Sequence, residues 1–122
     1  GAPLGHDFCA INLSDNLKPW RLIEKRLRLS LEADFVISLY NPRSIARPLQ
    51  FDKVLKIINE ICQSDRLIIF AKAVTTPKQD IKIFNINEAK SEMVDMSTIV
   101  IIGSSRTRRL TGPRFVYTPR ST

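Results

Sequence analysis

The sequence predicts an α/β domain with a mixed sheet of about five strands flanked by helices. Short apolar runs at Phe35 to Leu39, Leu67 to Ala71 and Thr98 to Ile102 read as buried strands. Longer segments, from about Pro19 to Leu31 and from about Pro48 to Gln63, carry apolar residues three and four apart and read as helices. Strands alternating with helices call for parallel pairs early, while the helix-poor second half calls for antiparallel hairpins, so the sheet is mixed.

Each element has its own justification. Phe8 to Leu13 alternates weakly and ends in Ser14-Asp15, a strand running into turn chemistry. The first helix has Pro19 at its first helical position, where a missing N–H costs nothing. Trp20, Ile23, Leu27 and Leu31 form its apolar stripe, Arg21, Lys25 and Arg28 face outward, and Glu24 precedes Arg28 in the order that favours a weak ion pair. In the second helix Phe51, Val54, Leu55, Ile58, Ile61 and Cys62 make a wide stripe that packs deeply on a sheet. After Leu67 to Ala71 and the turn residues Thr75-Thr76-Pro77-Lys78, the alternation of Ile81, Ile83 and Asn85 marks a fourth strand. Thr98 to Ile102 is the fifth, ending at Gly103 in Ser104-Ser105-Arg106, and Phe115 to Tyr117 adds a short edge strand.

At 122 residues the chain is one domain, residues 1–122, large enough to fold without a disulfide or metal staple. Hydrophobic residues are 43% and charged residues 25%, ordinary values for a globular protein, and every apolar run is too short to span a bilayer. The amino terminus has no basic region ahead of an apolar stretch, so a cytoplasmic protein is the expectation. Cys9 and Cys62 read as small core residues and not as a disulfide. With two cysteines and one histidine no closed zinc site can be assembled, and no metal is expected. His6 beside Asp7 is adjacency, not triad geometry. The four glycines, Gly1, Gly5, Gly103 and Gly112, form neither a GxGxxG fingerprint nor a Walker loop. Nineteen Lys and Arg against twelve Asp and Glu give +7, which suits a polyanionic partner (nucleic acid, a membrane surface or a carboxylate-rich small molecule) as well as a merely solvated basic surface.

The most informative segment is Phe35 to Ser44, an apolar strand that stops abruptly in Tyr40-Asn41-Pro42-Arg43-Ser44. Pro42 cannot donate to a ladder and pushes Asn41 out of the helical region, so the chain leaves the sheet there. In open α/β sheets ligands sit at such strand ends, where free backbone groups adjoin an apolar floor; an ordinary Asn-Pro turn is the other reading. Leu39 to Ser44, Ala71 to Ala73, and Ser97-Thr98 with the later Ser104 to Arg109 are expected to share one rim.

These residues carry a family resemblance. Gly1-Ala2-Pro3-Leu4-Gly5-His6-Asp7-Phe8, Asn12-Leu13-Ser14-Asp15 with Pro19-Trp20, Ala33-Asp34-Phe35-Val36, Leu39-Tyr40-Asn41-Pro42-Arg43-Ser44 with Arg47-Pro48, Val94-Asp95-Met96, and Val100-Ile101-Ile102-Gly103-Ser104-Ser105 with Thr107-Arg108-Arg109 occur in family order over nearly the whole chain. Together they resemble the precorrin-3B (or cobalt-precorrin-3B) C(17)-methyltransferases of cobalamin biosynthesis, a branch of the tetrapyrrole methylases. That family has two α/β domains, with S-adenosylmethionine (SAM) in the cleft between them and the tetrapyrrole in an adjoining trough. The resemblance covers only the carboxyl-terminal domain. It implies that the amino-terminal domain is absent and that the chain is half of a longer homodimeric enzyme, inactive by itself.

By resemblance, Leu39, Tyr40, Asn41, Ala73, Ser97 and Thr98 fall where the family's backbone and small side chains meet SAM. Ser14, Asp15 and Arg43 fall toward the substrate trough, and Arg106, Arg108 and Arg109 are apt partners for substrate carboxylates; as solvated or dimer-contact residues these last three have an equal reading. The chain departs from the family at Lys18, where the usual Thr would cap the helix for about 1 kcal/mol, at Ala71-Lys72-Ala73, and at Pro119-Arg120-Ser121-Thr122.

The implied reaction is SAM-dependent methylation at C17 with ring contraction. Such a transfer depends mainly on holding carbon and methyl in line, which fits a chain with no evident nucleophile. No catalytic residue is assigned; Asp7 and Asp15 are acid–base candidates only by side-chain type and by the position the resemblance gives them. A basic nucleic-acid-binding module is the rival, but aromatics are only 7% and none interleave on a strand as stacking platforms. An isolated dimerisation domain is the third reading. Neither nucleic acid nor membrane is the expected partner.

Overall fold

Strand β1 (Phe8–Asn12), helix α1 (Trp20–Glu32), strand β2 (Val36–Tyr40), helix α2 (Gln50–Ile61) and strands β3 (Leu67–Lys72), β4 (Asp80–Asn85) and β5 (Thr98–Ile102) follow in the order the apolar pattern predicts. Short 3₁₀ turns, Ile86–Glu88 and Ser91–Met93, lie between β4 and β5. The computed structural model describes residues 7–13, 19–40, 50–72, 80–94, 97–109 and 116–117, with backbone alone at residues 50, 80, 108, 109, 116 and 117. The sheet is five-stranded in the order β1-β2-β5-β3-β4, with β1 and β2 parallel and every other pair antiparallel. The crossover from β1 to β2 through α1 supplies the parallel pair, and the mixed sheet is the expected one.

The elements differ from expectation at their ends, for local reasons. Pro19 is the residue before α1 and not its first helical residue: its ψ of 151° is extended, while its carbonyl accepts from Leu22 N at 3.1 Å. Phe35 stays outside β2 because its N–H still serves the helix end, donating to Ser30 O at 3.2 Å. Helix α2 stops at Ile61, with Cys62 N donating one last bond to Ile58 O at 2.8 Å. The carboxyl-terminal strand, β7 (Val116–Tyr117), pairs with β6 (Arg108–Arg109) in a separate two-stranded sheet. The start of the second helix at Pro48 lies outside the described residues.

Register decides what each side chain meets. Ile11, Leu39, Val100 and Phe70 form one row across the strands, and Cys9, Ile37, Ile102, Ile68 and Phe84 form another. Both rows enter the main core with Ile23, Leu27 and Leu31 of α1 and Phe51, Val54, Leu55, Ile57 and Ile58 of α2, so the two helices cover one face. Each Leu or Ile buried this way contributes about 1.5–3 kcal/mol. The Phe70 ring stands 6.3 Å from Phe51 and 5.7 Å from Phe84, both tilted. Glu24 and Arg28 form the expected pair at 3.0 Å, which Glu60 of α2 extends at 3.3 Å. Cys9 and Cys62 are free thiols packed against the core.

The opposite face is also apolar but thinly covered. Leu67 and Ile69 are buried there with Ile81, Ile83 and Ile101 half-buried around them, whereas Ile99 is 43% exposed, Tyr40 40% and Phe8 55%.

Candidate functional site

Strand direction settles which strand ends meet. β2 and β3 run the same way, and β5 lies antiparallel between them, so Tyr40 and Lys72 at their carboxyl ends stand beside Thr98 at the amino end of β5. β1 ends at the same place, with Asn12 opposite Tyr40 and Leu13 N donating to Tyr40 O at 2.9 Å. Ligands of open α/β sheets sit outside the carboxyl ends of the strands, which is where this rim lies for β1, β2 and β3. In the sequence Ser14 follows Leu13 and Asn41 follows Tyr40.

The floor is a row on the thinly covered face. Tyr40 lies one residue beyond the Leu39–Val100 pair and so stands beside Ile99, which pairs with Ala71, which pairs with Ile81. An exposed phenol, an exposed aliphatic side chain and a small residue side by side make a ledge against which a flat apolar group can lie. Ile99 is a residue the sequence reading missed, whereas Ala71 stands on the expected rim. Every residue from Ile99 to Ile102 is apolar, so no alternation marks the member that faces away from the helices.

The expected cofactor residues divide by face. Leu39 and Thr98 point into the helix-covered side, at 0% and 1% exposure, so Leu39 offers a ligand only backbone and Thr98 supports the rim from beneath. Tyr40 and Ser97 are exposed. Asn41, Ala73, Ser14, Asp15 and Arg43 lie outside the described residues.

The Ser104 to Arg109 segment does not share this rim, which corrects the expectation. It leaves the carboxyl end of β5, beside the amino ends of β2 and β3, where Gly103 N donates to Leu67 O at 2.9 Å. The four residue steps of β5 separate the two ends by about 13 Å. Arg106, which is exposed, and the backbone of Arg108 and Arg109 therefore belong to the far end of the sheet.

That far end has a polar cleft of about 400 Å³ lined by Ile61, Gln63, Asp65, Arg66, Ser104, Ser105 and Thr107. Its turn is internally bonded: Ser104 N donates to Thr107 Oγ1 at 2.9 Å, Thr107 N to Ser104 O at 3.1 Å and Arg106 N to Ser104 Oγ at 3.2 Å. Burial pushes the neighbouring Cys62 thiol above its ordinary pKa; Arg66 opposes that shift and Asp34 adds to it. Among the described residues, no three His, Cys, Asp or Glu gather closely enough to hold a metal ion, and no helix is long and apolar enough to cross a membrane.

No family model matches the chain. It is 50% identical over 123 residues to a precorrin-3B C(17)-methyltransferase of Sinorhizobium sp, a match covering 98% of the chain and 48% of the relative. It is 40% identical over 127 residues to a probable cobalt-factor III C(17)-methyltransferase of Methanocaldococcus jannaschii, covering 98% of the chain and 50% of the relative. The fold matches the crystal structure of the methyltransferase CobJ with a TM-score of 0.91 and 58% identity, over 98% of the chain and 49% of that structure. The chain thus spans about half the length of the relatives it matches. Along almost every residue the chain is therefore similar to one half of the precorrin-3B and cobalt-factor III C(17)-methyltransferases.

Proposed function

We propose that this chain is the carboxyl-terminal half of a SAM-dependent methyltransferase acting at C17 of a tetrapyrrole, and that it supplies one wall of the SAM site. The observation that carries the reading is the meeting of the ends of β1, β2 and β3 with the start of β5, beside the exposed ledge of Tyr40 and Ile99. Adenine fits such a place, because it lies against apolar surface and is recognised by a few backbone groups. Tyr40, Ser97 and Thr98 flank the ledge, with Leu39 contributing backbone, and on the resemblance Asn41 and Ala73 are assigned to SAM with them and Ser14, Asp15 and Arg43 to the substrate. Arg106, Arg108 and Arg109, at the far end, are assigned to carboxylate arms of the substrate remote from the reacting carbon.

In the reaction the bond between sulfonium sulfur and methyl carbon breaks as the substrate carbon takes the methyl. The wall's contribution is position: holding donor and acceptor in line at near contact is worth a large part of such a barrier. A homodimer is proposed with it, on the family resemblance.

Because one wall holds SAM weakly, the test is an NMR titration of the 122-residue chain with millimolar SAM. Amide shifts are expected at Tyr40, Ser97, Thr98 and Ile99, and they should vanish in Ile99→Asp. Shifts confined to the Ser104 to Thr107 turn, or none at all, would overturn the assignment. Affinity equal to that of a complete family enzyme would show that a second wall is unnecessary.

A further inference from the structure

Asp34 occupies a position where glycine is the usual residue. Helix α1 closes with Ala33 N donating to Leu29 O, Asp34 N to Leu31 O and Phe35 N to Ser30 O, at 2.9, 3.1 and 3.2 Å. This ending places Asp34 in the left-handed region at φ 63°, and among the described residues it is the one non-glycine with positive φ. Ending a helix is done more easily by glycine, which meets no side-chain penalty there, so the carboxylate calls for an explanation of its own.

That carboxylate reaches across the fold. Ser105 N donates to Asp34 Oδ1 at 2.7 Å, and Ser105 Oγ to Oδ2 at 2.5 Å, across 71 residues of sequence. Arg66 Nη2 stands 3.6 Å from Oδ1, and Arg66 Nη1 donates to Gly103 O at 3.3 Å. The Arg66 side chain is only 12% exposed, so its charge needs a partner, and Asp34 provides one. One carboxylate therefore ties the end of α1 and the loop before β3 to the turn that launches β6. β6 and β7 form their own small sheet, not hydrogen-bonded into the five-stranded one, and this turn is where the chain passes from β5 to β6.

We infer that Asp34 is a positioning residue: through Ser105 and Arg66 it sets where the strand bearing Arg108 and Arg109 stands. Its value to the reaction rests on the proposed role of those arginines toward substrate carboxylates. Its action on the turn does not.

The test compares Asp34→Gly, Asp34→Asn, Ser105→Ala and the double variant Asp34→Gly with Ser105→Ala in the 122-residue chain. Native-state trypsin cleavage after Arg106, Arg108 and Arg109 should rise about tenfold in Asp34→Gly and in Ser105→Ala, as expected for losing hydrogen bonds to a charged group. The double variant should add little. Asp34→Asn, which keeps an acceptor and tolerates positive φ, should be cleaved at an intermediate rate. Asp34→Gly should leave the rest of the chain folded, since glycine suits its backbone, and amide exchange in β2 and β5 checks this. Cleavage unchanged in Asp34→Gly, or already rapid in the parent chain, overturns the inference. In the complete methyltransferase, Asp34→Gly should raise KM for the tetrapyrrole with kcat and SAM affinity unchanged. Faster cleavage with unchanged KM would uphold the clamp and remove the arginines from the substrate.

Discussion

Replacing Gly103 by alanine tests how tightly the turn after β5 is built. A Cβ at this position would lie 2.6 Å from Thr107 Cβ, 2.7 Å from Thr107 Oγ1 and 2.8 Å from Thr107 Cγ2, closer than carbon atoms tolerate. Gly103 lies outside the left-handed region, so the penalty comes from contact and not from backbone conformation. Neither side yields cheaply. Gly103 is held by its N–H to Leu67 O at 2.9 Å and by Arg66 on its carbonyl, while Thr107 Oγ1 accepts the N–H of buried Ser104. Keeping those bonds means overpacking, at about 1–3 kcal/mol. Releasing the Ser104 bond strands a buried donor at a similar cost, about 1–3 kcal/mol. The chain takes the cheaper route, so Gly103→Ala is expected to cost about 2 kcal/mol in urea unfolding followed by fluorescence of Trp20, with an unchanged m-value. A second substitution identifies the cause. Since the nearest atom is Thr107 Cβ, Thr107→Ala should leave most of the clash in place, whereas Thr107→Gly should remove it and give a favourable coupling in the double-mutant cycle. A Gly103→Ala protein within about 0.5 kcal/mol of the parent, or full relief by Thr107→Ala, would refute the reasoning.

Other expectations follow from burial and charge. Phe51→Ala removes a wholly buried ring from between α2 and Phe70 and should cost about 3–5 kcal/mol by denaturant unfolding. Ile99→Asp changes an exposed rim residue, so stability should move by no more than about 0.5 kcal/mol, while SAM-induced shifts at Tyr40 and Thr98 disappear. Cys62, with its thiol raised above 9.0 by burial, should be alkylated more slowly than a free thiol at pH 8 until the chain is unfolded. Its neutral thiol favours the folded state below pH 9.0, and that contribution is lost as pH rises from 9.0 through the raised folded value. Cys62→Ser, a group that does not titrate there, should flatten that part of the stability profile.

The amphipathic stripes of both helices and the limits of β5 were legible in the amino-acid order, because periodicity and apolar run length are local properties. So was the pairing of Glu24 with Arg28, a matter of spacing on one helix. Tyr40 as a strand-end residue was legible too, from Pro42 and the family resemblance. The placement of β5 between β2 and β3 was not, since strand order is a choice among long-range pairings and Thr98 to Ile102 suits any central position. That choice gathers Tyr40, Ile99, Ala71 and Thr98 at one end and sends Ser104 to Arg109 to the other. The same limit hid the ledge: Ile99 and Val100 are equally apolar, and only the helices, packed on one side, leave the first exposed and bury the second. Asp34 shows the limit most plainly. Its neighbours announce a helix end, but the partners that explain an aspartate there, Arg66 and Ser105, come together only when the sheet is assembled.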